Sequence, residues 1–360
     1  MKETKNEKQG LNGITKKGFF QTITILMVLV MVLSALNPIL MNKSGMRYVL
    51  TGQVNPENKY DVIFAGSSHM NNAVYPLELW RDYGMITFNN AQSGEIIPVS
   101  YYTCKDAIEN YDPEVLVLDL YMLYHPAEMG SISWMHQSLD RLSAKNRIPA
   151  ILDLVSMKNQ KEFLFPMTLY HSRWNELTKT DFEPQDNVYR GCAINYNIAE
   201  DIIGMTFEYT PKDVKVEPRE VPVKYLQKIV DLCKETDTEL LLVTLPYFIS
   251  SQYEGATHNM ANDQAYFNWA EDFAKKNDVP YINYFHLVDD IGFDWFKCLY
   301  NYSHMNYWGG QIITEHLGKY LNENYDLTDY RGDATYKKWD AHLKRYDEVV
   351  EENIHKKNNN

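Results

Sequence analysis

The segment at 115–119 (VLVLD), in which four successive apolar residues precede an aspartate, most constrains what this chain can fold into. A run of this length and composition is typical of a strand that is buried on both faces of a parallel sheet. Further strands are predicted at residues 60–65, 86–89, 239–244 and 281–284. Helices are predicted among and after them, at residues 98–111, 223–235, 263–276 and 307–320. Strands that alternate with helices predict βαβ units, and therefore an α/β fold.

The region between residues 121 and 221 interrupts this alternation. It contains helical and loop-like sequence with many polar groups, and no segment that is typical of a strand. We therefore predict one domain at 59–325, in which 121–221 is a helical insertion that covers one face of the sheet. Residues 326–360 are dense in charge and tyrosine, and they are predicted to form a C-terminal extension with a peripheral helix.

The longest apolar segment lies near the N-terminus, where residues 19–40 contain no charged side chain. As one helix of about 20 residues, this segment is long enough to cross a bilayer. Two glutamates and five lysines precede it, and the lysines are at positions 2, 5, 8, 16 and 17. The excess of lysine predicts a cytoplasmic tail at 1–18 and a single-pass anchor in the cell membrane at 19–41. A connector at 42–58 then leads to an extracytoplasmic domain.

A cleaved signal peptide is the alternative for the same segment. Ser34 and Ala35 are small residues of the kind found near a cleavage site. The apolar run continues past them to Leu40, and no A-x-A pattern follows. These two features favour an anchor that is not cleaved.

The charge balance and the cysteines exclude several classes of function. The chain has 48 acidic and 35 basic side chains, a formal net charge of -13, so a nucleic-acid partner is not expected. No C-x-x-C pair is present, and neither a metal nor an organic cofactor is predicted. The cysteines are predicted instead to be small buried hydrophobic residues, and a disulfide between two of them outside the cell stays open as an alternative. They are Cys104, Cys192, Cys233 and Cys298.

Two segments carry residues that are typical of nucleophilic catalysis, GSSHMNN at 66–72 and YNYSHMNYWGG at 300–310. Ligands of open α/β sheets bind at the carboxyl ends of the strands, and Ser68 lies on the turn after the first predicted strand. It begins or directly precedes a helix whose amide donors would favour an oxyanion. The hydroxyl of a serine needs a base, and His304 is the candidate. It comes just before a C-terminal helix that could fold back beside the first strand.

These segments resemble the SGNH/GDSL hydrolase superfamily. Residues 66–68 are similar to its first block, with Ser68 in the position of the nucleophile, and NAQSG at 90–94 is similar to its second block. The resemblance implies that Gly94 donates a backbone amide to the oxyanion hole. It also implies a flavodoxin-like, three-layer fold around a central parallel sheet.

SHMNYWGG at 303–310 resembles the last block of the same superfamily. The resemblance implies that His304 is the catalytic base, and the typical flanking residues are matched by Asn306 and Gly309. Together with the predicted anchor, these motifs look most like those of extracytoplasmic acyltransferase members. Such members include the D-alanine transfer protein of teichoic-acid synthesis and the alginate O-acetyltransferases.

The resemblance implies an activity and a set of partners. An acetyl or D-alanyl group would be carried as an ester of Ser68 and transferred to a cell-surface polysaccharide or a teichoic acid. A membrane-bound O-acyltransferase would deliver the acyl groups across the bilayer. An esterase that removes acyl groups from surface glycan would use the same residues. A surface protein that kept the fold, lost catalysis and binds glycan or an assembly partner is a further alternative.

The sequence departs from the superfamily in the residue that orients the base. Members commonly carry D-x-x-H, but the residue three before His304 is Asn301. Asparagine accepts a hydrogen bond from the imidazole and supplies no charge. Three outcomes stay open, namely a Ser-His pair oriented by Asn301, a weakened enzyme, and a carboxylate recruited from Asp289, Asp290 or Asp294.

The oxyanion hole also departs from the pattern of the superfamily. The Gly-x-Asn of its third block is absent, because the third strand runs into Asp119-Leu120-Tyr121. The remaining candidate donors are the backbone amides of Ser68 and Gly94, with side-chain help from Asn89 or Asn90.

Several of these side chains also have structural interpretations. Ser67 and Ser68 could cap a helix, and His69 is predicted to be a structural hydrogen-bonding residue rather than a second base. Asn306 could fasten its loop or touch the substrate. In the insertion, His171, Arg173 and Trp174 could form a wall for a glycan or an anionic acceptor. The alternative is a helix that buries Trp174 and leaves Arg173 in solvent.

Overall fold

The structure, a computed structural model, describes residues 16–40, 59–124, 130–165, 167–182, 189–255 and 260–359. The chain divides into two compact units. The first consists of Met1–Asn42 and Phe165–Glu183, and the second consists of Lys43–Leu164 and Pro184–Asn360. Most of the predicted cytoplasmic tail and the whole predicted connector at 42–58 lie outside the described residues.

A parallel sheet of five strands forms the centre of the second unit. The strands are β1 (Val62–Ala65), β2 (Thr87–Asn89), β3 (Val115–Asp119), β4 (Glu239–Thr244) and β5 (Tyr281–Asn283). They pair in the order β2-β1-β3-β4-β5, and every pair is parallel. The prediction of an α/β fold with a central parallel sheet is therefore confirmed. β3 and β4 have the predicted bounds, while β1, β2 and β5 are one or two residues shorter than predicted.

The α-helices that the structure describes follow the predicted alternation with the strands. In chain order they are α1 (Lys16–Leu40), α2 (Ser68–Ala73), α3 (Pro76–Tyr83), α4 (Ile97–Tyr111), α5 (Ile132–Leu139), α6 (Ala144–Leu154), α7 (Gln160–Leu164), α8 (Met167–Tyr170), α9 (Glu220–Glu235), α10 (Asp263–Asn277), α11 (Tyr307–Asn324) and α12 (Lys337–Asn358). α1 and α8 belong to the first unit and the others to the second.

β3 shows why the central strand needs an uninterrupted apolar run. Leu116 and Leu118 join a hydrophobic core that contains residues of α4 and α9, and Val115 and Val117 join a second core that contains residues of α11. All four side chains are 0% exposed. Successive side chains of a strand point to opposite faces, so helices on both faces leave no position of β3 in contact with water.

The strand order determines where a ligand can bind. From β1 the chain crosses to β2 on one side, whereas from β3 it continues to β4 on the other side. Where the connections diverge in this way, the loops leave a crevice at the carboxyl ends of the strands. Ser68 follows β1 after two residues, and Tyr121 follows β3 after one. Both therefore lie at this edge of the sheet.

The predicted insertion at 121–221 consists of short helices and loops, and its described residues contain no strand. Within the second unit, α5 and α6 pack against α4, one of the helices that cover the sheet. Residues 165–183 of the insertion belong to the first unit instead. Among the described residues of the insertion, those that border the crevice are Tyr121, Met122, Tyr124 and, on α5, Trp134.

The C-terminal extension forms one long helix, α12, which packs against α3. The indole Nε1 of Trp80 donates to Asp340 at 3.1 Å, and the hydroxyl of Tyr346 donates to Glu78 at 2.9 Å. Trp339 packs against Trp80 with 5.4 Å between ring centroids. The charged extension is thus attached to the sheet domain through a buried aromatic face.

The first unit contains α1, which includes most of the predicted anchor at 19–41. Within the described part of the chain, no helix meets the combined length and apolarity needed to span a bilayer. Arg173 lies in this unit. Its guanidinium donates to the backbone oxygen of Leu40 at 2.9 Å and pairs with the carboxylate of Asp181 at 3.4 Å.

The cysteines behave as the small buried residues that the sequence predicts. All four are buried and free, so the described residues contain no disulfide. Burial raises the pKa of the Cys104 thiol well above its ordinary value. A protonated thiol is a poor nucleophile, and no redox or nucleophilic chemistry is expected from these residues.

Candidate active site

Ser68 and His304, which are 236 positions apart in the sequence, are hydrogen-bonded in the structure. The Oγ of Ser68 lies 2.7 Å from Nε2 of His304. The adjacent Ser67 is the residue that caps α2, because its Oγ accepts from the backbone amide of His69 at 3.3 Å. The two serines therefore have different roles, and the hydroxyl of Ser68 faces the imidazole.

A glycine makes this turn possible. Gly66 has a φ of 132°, a conformation that L side chains rarely adopt, and a Cβ at this position would lie 3.0 Å from Cβ of Asp119. Glycine is the only residue without a steric penalty in such a conformation. The GSS motif thus turns the chain sharply between the end of β1 and the start of α2, which brings Ser68 to the crevice.

Asn301 orients the imidazole of His304. Its Oδ1 accepts the backbone amides of His304 at 2.8 Å and of Ser303 at 2.9 Å, and it lies 3.2 Å from Nδ1 of His304. A carbonyl oxygen can only accept, so this contact requires the proton to be on Nδ1. Nε2 is then unprotonated and can accept the proton of Ser68.

The structure does not bring the alternative carboxylates to the base. Within the described residues, the hydrogen-bond partners of the His304 ring are Ser68 and Asn301. Asp294 instead accepts from the amide of Phe296 at 3.0 Å and pairs with Lys297 at 2.8 Å. Asp289 and Asp290 are exposed. Of the three outcomes left open by the sequence, the geometry is that of a Ser-His pair oriented by Asn301.

The imidazole of His304 is neutral at neutral pH. Burial disfavours its charged form and lowers its pKa from 6.5 to about 4. Among the described residues, no carboxylate offsets this effect. The ring is therefore in the state that a base requires, and the structure offers it no negative charge to stabilise the cation formed when it takes a proton.

His69 connects the turn that carries Ser68 with the loop that carries His304. Its Nε2 lies 3.0 Å from the Oγ of Ser303 and its Nδ1 lies 3.4 Å from the Oγ of Ser67. The ring is buried and stacks on Tyr121 at a centroid distance of 3.3 Å. These contacts agree with a structural role for His69, as the sequence predicts.

The candidate oxyanion donors differ in their positions relative to the cavity and in their hydrogen-bond partners. Gly94 lines the same cavity as Ser68 and has a φ of 65°. The side chain of Asn89 donates to the backbone oxygens of Met70 at 2.9 Å and Val74 at 3.0 Å, so it holds α2 rather than a ligand. Asn90 is 1% exposed and does not border the cavity. The backbone amides of Gly94 and Ser68 are the donors that remain next to the cavity.

Asn306 fastens the loop that carries the base. It is 0% exposed, and it caps α11 by accepting from the amide of Gly309 at 3.1 Å. Its Nδ2 lies 2.7 to 3.1 Å from the backbone oxygens of Asn197, Lys297 and Leu299. Of the two roles considered for Asn306, the structure favours the fastening of the loop. Arg173, the other predicted binding residue, belongs to the first unit and does not border the cavity.

Replacing Asn306 by alanine is expected to lower the free energy of unfolding by about 2–4 kcal/mol. The variant loses a helix cap and the hydrogen bonds that Nδ2 donates to the backbone oxygens of the neighbouring loops. Urea denaturation followed by circular dichroism measures the change. Asn324→Ala is the control, because Asn324 is exposed and its side chain donates to the last turn of the same helix. An Asn306→Ala variant as stable as this control would contradict the prediction.

The sequence did not reveal the cavity that faces Ser68 and His304. Its volume is about 570 Å³, and its described lining is rich in aromatic side chains, namely Tyr121, Tyr124, Trp134, Tyr300 and Tyr302. The tyrosines at 300 and 302 lie within the predicted motif, and Tyr121 follows the third strand, so all three could have been recognised from the sequence. Trp134 has no such signal, because it comes from the insertion.

Among the described residues, no group of three histidine, cysteine, aspartate or glutamate side chains could hold a metal ion. What the site can supply is a neutral base, a hydroxyl group next to it, and backbone amides.

No protein-family model and no curated protein matches the chain. Among solved structures it is similar to a gut microbial enzyme that metabolizes diltiazem, at 13% identity and a TM-score of 0.39, over 73% of this chain and 46% of that one. It is also similar to a proposed acylhydrolase from Bacteroides fragilis, at 12% identity and a TM-score of 0.39, over 78% of this chain and 99% of that one. The chain spans about half the length of the first of these proteins. Because the sequence identities and TM-scores are this low, we infer the activity from the residues of the site alone.

Proposed function

We propose that this chain is a serine acyl-transfer enzyme of the SGNH/GDSL type, with Ser68 as nucleophile and His304 as base. The observation that carries the proposal is the 2.7 Å contact between Ser68 Oγ and His304 Nε2 on the wall of a cavity of about 570 Å³. A nucleophile within hydrogen-bond distance of a neutral base, which a third residue orients, is the arrangement that covalent catalysis by serine requires.

The first half of the reaction forms an ester of Ser68. As Oγ attacks the carbonyl carbon of an acyl donor, its proton moves to Nε2 of His304. The negative charge that develops on the carbonyl oxygen is stabilised by the backbone amides of Ser68 and Gly94. The bond to the leaving oxygen then breaks, the imidazolium returns its proton to that oxygen, and the donor leaves as an alcohol.

The second half transfers the acyl group to an acceptor hydroxyl. His304 takes the proton of that hydroxyl as its oxygen attacks the ester, and the proton then returns to Ser68 Oγ. A sugar hydroxyl gives transfer, whereas water gives hydrolysis by the same steps. Our proposal is transfer of an acetyl or D-alanyl group to a cell-surface polysaccharide or a teichoic acid, with an esterase as the alternative.

The cellular setting is also a proposal. Residues 19–41 would anchor the chain in the cell membrane with the N-terminus in the cytoplasm, and a membrane-bound O-acyltransferase would supply the acyl groups. The absence of charge over residues 19–40 and the lysines before them support the anchor. Large apolar side chains of α1 are also exposed, among them Phe20, Ile25 and Val30 at 66%, 68% and 61%.

The anchor is tested by extracting isolated membranes with alkaline carbonate. The full chain is expected to remain in the membrane pellet, because carbonate removes proteins held by surface charge and leaves inserted helices in place. Recovery of the chain in the supernatant would contradict the proposed anchor, and the proposed chemistry would be unaffected.

The chemistry is tested by the intact mass of the protein after exposure to p-nitrophenyl acetate. The wild type is expected to gain the mass of one acetyl group, and the Ser68→Ala variant is expected to gain none. A folded wild type that gains no mass with acetyl or alanyl donors would favour the non-catalytic alternative, for which Asn301 in place of an aspartate is the supporting observation.

A further inference from the structure

The described lining of the cavity next to Ser68 carries no fixed charge. This described lining consists of serine, asparagine, glycine, methionine, histidine and aromatic residues, and contains no aspartate, glutamate, lysine or arginine. A phosphate or carboxylate that enters such a cavity loses its hydration without gaining a cationic partner, which is costly. The net charge of -13 on the whole chain also opposes an anionic ligand. The cavity is therefore suited to an uncharged group.

The volume of the cavity exceeds what the acyl group alone would need. An acetyl ester of Ser68 fills a small part of about 570 Å³, which is within the range of pockets that hold whole small molecules, about 300–1,000 Å³. The remaining space is large enough for a second group with the size of a ring. For acyl transfer that group is the sugar that carries the reacting oxygen.

Trp134 offers a surface for such a ring. It lies on α5 and is 42% exposed, although it borders the cavity. Its indole rests directly on Gly94, where a Cβ would come within 2.1 Å of the ring. The absence of a side chain at Gly94 therefore lets the indole lie against the loop that carries a candidate oxyanion donor. The indole thus lines the same cavity as Ser68 and keeps part of its surface exposed.

We propose that Trp134 is a substrate-binding residue on which an uncharged sugar ring packs while its hydroxyl, or its acyl ester, reaches Ser68. The inference rests on the proposed function, and it deepens that function by naming the substrate class. The C–H face of a pyranose is apolar and its hydroxyl groups are neutral, which matches an indole surrounded by phenol, hydroxyl and amide groups. A polysaccharide of neutral sugars fits this cavity, whereas the phosphate groups of a teichoic acid do not.

The test compares three acetyl esters with the full-length protein. Vinyl acetate has no ring, acetylated methyl glucoside has a neutral ring, and acetylated methyl glucuronide has an anionic ring. For Trp134→Ala we expect KM for the glucoside ester to rise about tenfold, and we expect kcat/KM for vinyl acetate, which reports any effect on the loop of Gly94, to fall by less than this. The wild type is expected to use the glucuronide ester at least about tenfold less well than the glucoside ester.

Two further variants separate stacking from general damage. Trp134→Phe retains an aromatic face and is expected to lie between the wild type and Trp134→Ala. Phe296→Ala is the matched control, because Phe296 is an aromatic side chain of similar exposure, 41%, in the same unit, and it does not line the cavity. It is expected to leave KM for the glucoside ester unchanged. An unchanged KM in Trp134→Ala, or equal use of the neutral and anionic esters, would overturn the inference.

A binding measurement keeps the inference separate from the chemistry. The full-length Ser68→Ala protein is titrated with chitotetraose, a neutral oligosaccharide, in a calorimeter. An affinity for chitotetraose that falls about tenfold when Trp134→Ala is added to Ser68→Ala supports the sugar site. This holds even if the wild type cleaves no ester, because that result contradicts only the proposed catalysis. Binding that does not depend on Trp134, or no binding, overturns the sugar site even if vinyl acetate is hydrolysed.

Discussion

Replacing Ser68 by alanine is expected to lower kcat for acyl transfer by about four orders of magnitude or more. The variant loses the oxygen that forms the ester, and His304 alone can only assist the attack of water. Initial rates with p-nitrophenyl acetate over a range of concentrations measure the loss. Because Ser68 Oγ makes one hydrogen bond, to His304, the fold is expected to be retained.

Ser67→Ala is the matched control for this prediction. It removes the same hydroxyl group one position earlier, where the oxygen caps α2. The expected cost is about 1 kcal/mol of stability, measured by thermal unfolding, and less than about a tenfold change in kcat. If Ser67→Ala lost as much activity as Ser68→Ala, the assignment of the nucleophile would be wrong.

Replacing Asn301 by aspartate is expected to raise kcat by about tenfold or more. A carboxylate at this position keeps the oxygen that accepts the amides of Ser303 and His304, so the loop is retained. It also adds a negative charge about 3.2 Å from Nδ1 of His304, where it stabilises the imidazolium. In the serine-protease triad, the opposite exchange of Asp for Asn lowers kcat by about 10⁴.

The same substitution is expected to change the pH dependence of kcat/KM. The base must be neutral to act, and burial lowers the pKa of His304 to about 4. In the wild type, kcat/KM therefore rises through about pH 4 and is flat towards neutral pH. An adjacent carboxylate favours the charged form, so the rise moves to higher pH in Asn301→Asp.

A pH–rate profile between about pH 3.5 and 8 measures both effects. Asn301→Ala is the control, since it removes the acceptor of both backbone amides as well as the ring contact. It is expected to lower kcat without moving the rise to higher pH. An Asn301→Asp variant that is slower than the wild type, with its rise still near pH 4, would show that His304 is not the base.

The arrangement of strands and helices could be predicted from the sequence because it depends on patterns of apolar residues over a few positions. The bounds of β3 and β4 follow from short apolar runs, and the parallel pairing follows from their alternation with helices. The positions of Ser68 and His304 at the carboxyl edge of the sheet follow from the same logic, since each lies in a motif next to a predicted strand or helix.

The interior of the site depends on contacts between distant segments. The indole of Trp134 reaches Gly94 from a helix of the insertion, about forty positions away in the sequence. Asn306 reaches Asn197 across a hundred positions, and His69 reaches Ser303 across more than two hundred. No local pattern encodes these pairings, because they result from the packing of whole elements.

The sequence by itself determined the parallel α/β sheet, and its motifs indicated Ser68 and His304, whereas Asn301 was one of several candidates for the residue that orients the base. Apolar periodicity and turn residues act over a few positions, so they can be recognised without a structure. Only the tertiary structure decided that Asn301 rather than a carboxylate contacts His304, that Asn306 is buried in its own loop, and that a neutral aromatic cavity faces Ser68. The physical reason is that burial, hydrogen-bond partners and the shape of a cavity are properties of packed surfaces, which form only when distant parts of the chain meet.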